Sequence, residues 1–325
     1  MRYALEREVA IAAVQQAVLL CEQVRREVVP SAIEKQDRSP VTIADFGAQA
    51  LICRALADTF PQDPVVGEED ATELRQAPMA SMLNQVTHYV QAQVASATPT
   101  TVLDWIDHGN GTPSPRFWTL DPIDGTKGFL RGDQYAIALA LIENGEVNVG
   151  VLGCPALALG DEPPGLMFVA VRGAGTEMIS LTSGTTQPLQ VVADSLNPRF
   201  TEGVEADHSN QALQASIAQA AGITQPSLRI DSQAKYGVIA AGKAALYLRL
   251  PTSKYPNYQE KIWDHAAGVI VVEEAGGRVT DMHGQPLDFS QGAKLVNNRG
   301  VIVSHGSIHD AVLTALSGVV VQEGA

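Results

Sequence analysis

Asp121-Pro122-Ile123-Asp124-Gly125-Thr126 is the stretch whose reading decides the fold. It follows Phe117-Trp118-Thr119-Leu120, an apolar run that reads as a buried strand, and precedes Lys127-Gly128-Phe129-Leu130. Two carboxylates three residues apart suit a divalent cation. Pro122 fixes its own φ and biases Asp121 towards an extended conformation. Gly125 permits a sharp turn and a close approach of backbone to ligand. The amides of Gly125, Thr126 and Lys127 can then face an anion such as a phosphate, as at a helix N-terminus. Asp, Pro and Gly are also the ordinary turn residues, so a plain turn after a strand competes with a metal loop. Matching ligands elsewhere in the chain must decide between them.

The surrounding chain bounds the answer. At 325 residues, 45% hydrophobic and 18% charged, it is globular, can bury a large core, and is expected to form two domains. The net charge of −14 argues against a partner that is a nucleic-acid polymer, which needs a basic face for its phosphates. A small anionic substrate remains compatible, because bound cations reverse the local field of an acidic site. Cys21, Cys53 and Cys154 are odd in number and far apart, with no metal-type spacing. They read as small buried hydrophobes in a reducing compartment. Glu6 and Glu8 before the first apolar run exclude a secretory signal, and no run of ~18 apolar residues predicts a membrane span. A soluble cytoplasmic protein is expected, with a monomer favoured over a dimer.

Outward from the motif, Val14, Val18, Cys21, Val24 and Val28 predict a first helix stopped near Pro30. Thr42-Ile43-Ala44-Asp45 resembles a capping box opening a second helix that ends at Pro61. Val65-Val66 predicts a very short strand running into Gly67-Glu68-Glu69. Residues 71–116 hold two weaker helices and read as an elaboration beside the site, with a mobile lid as an option. Tyr135–Ile142 and Val147–Leu152, joined through Asn144-Gly145, predict a β-hairpin. Leu166–Val171 is a further strand, turning at Arg172-Gly173-Ala174-Gly175. The polar Thr182–Pro188 segment marks a domain division, giving domains 1–182 and 183–325. Beyond it lie helices at Gln211–Ala221, Trp263–Ala275 and Ile308–Leu316, and strands at Ala244–Leu250, after Arg278 and after Lys294. Alternating strands and helices there predict a layered α/β arrangement.

Four further acidic residues each sit at the end of an element: Asp45, Glu68, Glu69 and Asp264. Singly, an Asp in a first helical turn is usually a cap or dipole partner. Jointly they meet the demand of Mg²⁺, which takes an octahedron of oxygens and works in pairs in phosphoryl transfer. Several converging carboxylates repel one another when empty, so such a site is one that cations complete.

Thr42-Ile43-Ala44-Asp45, Gly67-Glu68-Glu69, the Asp121–Thr126 motif, and Trp263-Asp264 followed by Ala275-Gly276-Gly277 occur in the order used by the inositol monophosphatase superfamily. The resemblance runs from about residue 5 to 315. Asp121–Val147, Tyr258–Gly268, Val204-Glu205-Ala206 before His208-Ser209, Asp231–Gly237 and Tyr247–Pro251 resemble its bisphosphate nucleotidase branch. The resemblance implies an αβαβα sandwich and a lithium-sensitive phosphomonoesterase using two or three Mg²⁺ ions. It implies a nucleotide bisphosphate substrate, 3′-phosphoadenosine 5′-phosphate and its phosphosulfate analogue, in removing a by-product of sulfur assimilation. Glu68, Asp121, the carbonyl of Ile123, Asp124 and Asp264 resemble the metal ligands, most of them in the N-terminal domain. Asp45 and Thr126 resemble the pair that activates water. Gly125, Thr126, His208, Ser209, Ser232, Lys235, Arg249 and Asp264 match the segments that hold substrate; Asp207 departs from the small polar residue common before His-Ser. An inositol polyphosphate 1-phosphatase or a sugar bisphosphatase would share the metal core. A nucleotide-bisphosphate sensor, the non-enzyme alternative, would not need Asp45 and Thr126.

Overall fold

The computed structural model describes residues 2–27, 33–34, 40–160, 163–191, 198–204, 210–252, 254 and 257–323. The first half comprises α1 (Ala4–Glu27), β1 (Ile33–Glu34), β2 (Pro40–Val41), α2 (Ile43–Thr59), β3 (Val65–Gly67), α3 (Ala80–Gln93), α4 (Pro99–Asp107), β4 (Arg116–Asp124), α5 (Thr126–Arg131), β5 (Ala136–Glu143) and β6 (Glu146–Cys154). The second comprises β7 (Leu166–Val171), β8 (Gly175–Ser180), β9 (Thr186–Leu189), β10 (Phe200–Glu202), α6 (Gln211–Ala220), β11 (Leu228–Arg229), α7 (Ala234–Ala240), β12 (Leu246–Arg249), α8 (Ala266–Glu274), β13 (Arg278–Thr280), β14 (Val301–Ser304) and α9 (His309–Glu323).

Strands β3 to β9 form a seven-stranded sheet in sequence order, antiparallel except for the parallel β3–β4 pair. Period-two patterning assigns its two faces. Ile137, Leu139, Leu141, Val149, Val151, Met167 and Val169 pack with α1 and α2, whereas Ala136, Ala138, Ala140, Ile142, Phe168 and Ala170 pack with α7 and α8. A bulge at Leu141/Ile142 lets Val147 join the second set. Each fully buried large aliphatic is worth about 1.5–3 kcal/mol, and a one-residue slip would misplace a whole set, so the register is strongly specified.

The second sheet has five strands, ordered β11-β10-β12-β14-β13. Tyr247, Val301 and Val303 face the same α7–α8 layer, while Leu246, Leu248 and Ile302 face outwards onto Ile217 of α6 and Val312 and Leu316 of α9. The molecule is therefore layered α-β-α-β-α, as predicted, with α7 and α8 shared between two sheets.

Several local expectations change. The Thr182–Pro188 segment is the turn and β9 strand of a β8–β9 hairpin within the large sheet, and the chain crosses between sheets after Leu189. The strand expected after Lys294 begins only at Val301. Asn298 donates to the Pro286 carbonyl and accepts from the Asp288 amide, which holds that stretch as a loop. The helix expected from Trp263 begins at Ala266, and the preceding residues turn around the Ile262 carbonyl, which accepts from the Ala266 amide at 2.9 Å. Residues 71–116 bury Val86, Val90, Val102 and Ile106 in the core that α1 and α2 line. The expected stop near Pro30 lies outside the described residues. All three cysteines are free and buried, and no helix among the described residues is long and apolar enough to cross a membrane.

Candidate active site

The motif does not leave its strand where a turn would. β4 continues through Asp124, and its pairing with β5 shifts register between Asp121 and Asp124. The irregularity re-aims both carboxylates at the end of the strand. Asp121 is buried and accepts from the Ile123 amide at 3.1 Å. The turn follows at Gly125, whose φ of 87° is left-handed and whose added Cβ would lie 3.1 Å from that of Ser232. Ser232 is itself left-handed, φ 68°. Two unusual backbone positions thus face each other across the layers.

Parallel pairing of β3 with β4 puts Gly67 beside Leu120, and the Glu68 amide donates to the Leu120 carbonyl at 3.1 Å. Glu68 therefore leaves its strand next to Asp121. Asp45 opens α2, and the capping box is real: Thr42 Oγ1 accepts from the Ala44 and Asp45 amides, while Asp45 Oδ2 accepts from the Thr42 amide at 2.8 Å. The other oxygen, Oδ1, lies 3.5 Å from Thr126 Oγ1, which also reaches the Ile123 carbonyl at 3.2 Å. One hydroxyl proton serves one acceptor at a time, so Thr126 sits poised between them. The cap occupies one oxygen of this carboxylate and leaves the other facing Thr126.

Asp264 arrives from the far side, just ahead of α8. Gln233 joins the two sides: its amide donates to Asp124 Oδ2 at 2.6 Å, its side-chain nitrogen to the Trp263 carbonyl at 2.9 Å, and its side-chain oxygen accepts from the Gly268 amide at 3.2 Å.

Electrostatics report the same convergence. Burial holds Asp121 well above the usual carboxylate range, and Glu68, Asp124, Asp264 and Asp45 push it further. Asp264 is raised by burial and by Asp124, against the pull of Arg249. Asp124 is raised by burial despite Lys235, the Gln233 amide and Arg249. An all-oxygen donor set whose members resist ionising together fits a hard divalent cation such as Mg²⁺.

Lys235 is buried, donates to the Ile230 carbonyl at 3.1 Å and lies 5.0 Å above the Tyr247 ring. Burial lowers it to about 8 against the pull of Asp124. Arg249, at the end of β12, donates through Nε to Glu260 at 3.2 Å. Oxygens and nitrogens of Glu260, Asp264 and His265 come within 4.8 Å of one another. Both His265 nitrogens are engaged, however: Nδ1 with the Tyr236 hydroxyl at 2.7 Å and Nε2 with Glu260 at 3.2 Å. We read this trio as support for Arg249, with the cation partners of Asp264 coming from the β4 side. Every predicted site residue within the described chain thus lies at this junction of layers; His208 and Ser209 fall outside the described residues.

Residues 5–320 match the inositol monophosphatase family. The chain belongs to that family. Proteins named 3′(2′),5′-bisphosphate nucleotidase are similar to it along nearly their whole lengths. That of Emericella nidulans is 44% identical, covering 98% of this chain and 99% of the relative. That of Schizosaccharomyces pombe is 44% identical, with 98% and 97% covered. That of Oryza sativa is 41% identical, with 99% and 96% covered. An IMPase of Thermotoga maritima shares the fold at a TM-score of 0.67 and 23% identity, covering 97% and 98% of the two chains. The CysQ structure from Bacteroides thetaiotaomicron does so at 0.62 and 20%, covering 93% and 98%.

In this inositol monophosphatase family member, sequence reading missed the residues that hold the acidic segments in place. Gln49, one turn after Asp45, accepts from the Glu69 amide at 3.1 Å and donates to the Glu69 and Ile106 carbonyls. It fills the space where Gly67 and Gly109 have no side chain: an added Cβ would lie 2.7 and 2.5 Å from its amide. Helix α2 therefore orients Asp45 directly and the Glu68 segment through Gln49. Gln233, Glu260 and His265 were missed likewise. A polar residue one turn after the capping-box Asp, on a helix face otherwise lined by Ala48 and Ile52, was the one faint sign of Gln49, and it named no partner.

Proposed function

We propose that the protein is a Mg²⁺-dependent phosphomonoesterase that hydrolyses the 3′-phosphate of 3′-phosphoadenosine 5′-phosphate, giving AMP and phosphate, and that also accepts the 5′-phosphosulfate analogue. The observation that carries this reading is the convergence of Glu68, Asp121, Asp124 and Asp264 beside the Asp45–Thr126 contact. The names of the near-full-length relatives support the substrate class.

Glu68, Asp121, the Ile123 carbonyl, Asp124 and Asp264 would hold two or three Mg²⁺ ions, which supply Lewis-acid polarisation of the phosphoryl oxygens and acidify a water when bound. Thr126 takes a proton from the attacking water as it passes its own to Asp45 Oδ1, whose orientation the cap fixes through Oδ2. Base assistance of this kind contributes ~10²–10⁴ in rate. The Gly125–Lys127 amides face the phosphate oxygens, and Lys235 and Arg249 hold the second phosphate, Arg249 with the fork geometry suited to it. Ser232 stands directly opposite Gly125.

Phosphate release over a panel of adenosine 3′,5′-bisphosphate, inositol phosphates and sugar bisphosphates tests the substrate; faster turnover of an inositol phosphate would overturn it. Asp45→Asn keeps a capping oxygen and should leave AMP affinity within about threefold while lowering kcat ~10²–10⁴-fold. Equal turnover would remove Asp45 as base. Loss of turnover with retained binding also separates an enzyme from a sensor. Inhibition by millimolar lithium is expected, and a flat titration would count against this reading.

A further inference from the structure

We propose that Glu260, held by His265 and Tyr236, is the positioning residue that aims Arg249 at the second phosphate of the substrate, and so sets the preference for bisphosphates over monophosphates. The inference rests on the functional reading above and deepens it.

The chain of contacts is continuous. Tyr236 in α7 engages His265 Nδ1 at 2.7 Å, His265 Nε2 engages Glu260 Oε2 at 3.2 Å, and Arg249 Nε donates to Glu260 Oε1 at 3.2 Å. One assignment satisfies every atom: the tyrosine hydroxyl donates to Nδ1, the neutral imidazole donates from Nε2, and the carboxylate accepts from both sides. Burial graduates along it. His265 and Glu260 side chains are 2% and 9% exposed, whereas that of Arg249 is 31% exposed. The anchored end is dry, while the guanidinium keeps partial exposure and lies within electrostatic reach of Asp264 and Asp124.

A guanidinium is planar, so fixing the direction of its Nε–H fixes the plane in which the terminal nitrogens meet an anion. Arg249 and Tyr247 are two apart on β12, and Tyr247 packs into the α7–α8 layer. Lys235, adjacent to Tyr236, stands over the Tyr247 ring at 5.0 Å. The Tyr247 ring in turn meets that of Tyr236 edge-on at 5.6 Å, so both cations offered to the second phosphate border one network. Stability alone is a poor account of it. A buried ion pair seldom outperforms apolar packing of equal volume, whereas it does fix geometry.

The test measures kcat and KM for adenosine 3′,5′-bisphosphate, and inhibition by AMP and by inorganic phosphate, in Glu260→Gln, Arg249→Ala and the double variant. Glu260→Gln should raise KM and weaken AMP inhibition about tenfold or more, the scale of a lost charge-assisted bond. It should leave kcat within about threefold and phosphate inhibition within about twofold. The double variant should match Arg249→Ala, because Glu260 acts through Arg249. An unchanged KM, a fall in kcat alone, or independent multiplicative losses would overturn the proposal. Should Glu260→Gln fail to fold, Tyr236→Phe removes only the far hydroxyl and should raise KM about threefold; an unchanged KM there overturns it equally. Failure of the functional reading would appear already in the wild-type substrate panel.

Discussion

At the level of single residues, Asp45 shows how a bland role and the proposed functional one can coexist. Its capping signature was legible because the partners lie within one turn, at Thr42. Its contact with Thr126 was legible only through family resemblance, since 81 residues separate the two. The same distance argument explains what was missed: Gln49 reaches Glu69 and Ile106, and Gln233 reaches Asp124 and Trp263, all through space. A lone glutamine in a sequence carries no sign of such partners. Lys235 yields a direct expectation. With burial lowering it to about 8, the free enzyme loses this positive charge above that pH. The kcat/KM for the adenosine bisphosphate should therefore fall on the alkaline side of about pH 8, and Lys235→Arg should move that limb upwards. A flat profile to pH 9.5 would show that Lys235 does not meet the substrate.

Whole elements were legible where patterning was strong. The β5–β6 hairpin was read from Asn144-Gly145, whose φ values of 52° and 82° are those of the favoured two-residue turn. The capped α2 and the alternating strands were equally plain. β9 was not, because Thr186-Gln187-Pro188 is exposed at the sheet edge and carries no apolar alternation. β11 is two residues long and α7 seven, too short for a period to register. The motif itself combined strand and turn in a way neither reading anticipated, with β4 running through Asp124 and the reversal deferred to Gly125. Gly125→Ala should thus cost about 1–2 kcal/mol from the left-handed backbone alone and press on Ser232. We expect a lower thermal midpoint and a kcat loss exceeding that of Gly173→Ala, a left-handed glycine with nothing near its added Cβ. Gln49→Leu, which keeps volume but frees the Glu69 backbone, should raise the Mg²⁺ concentration for half-activation several-fold with kcat at saturating Mg²⁺ little changed.

For the whole molecule, the raised carboxylates link stability to pH and cations. Folded Asp121 and Asp264 bind protons more readily than they do unfolded, so without cations their contribution to stability is complete below the ordinary carboxylate range and is lost as pH rises from there through their folded values. Under the proposed function, Mg²⁺ bound there would replace those protons. The gain in thermal midpoint on adding millimolar Mg²⁺ to chelator-treated protein should accordingly be larger at pH 8 than at pH 5.5; a gain independent of pH would mean that these groups are not the ligands. The layered fold was legible overall, while the sharing of one helical layer was not, because nothing local says which sheet owns α7 and α8. That sharing has an outcome for dissection of the chain. The large sheet closes at Leu189 and the small one opens at Phe200, so a cut between them severs no strand among the described residues. It would leave Glu68, Asp121 and Asp124 on one fragment, and Lys235, Arg249 and Asp264 on the other. Neither piece alone would turn over substrate, and α7 and α8 would act as the adhesive on remixing. Activity regained on remixing the two pieces would therefore report the docking of α7 and α8 back onto the large sheet.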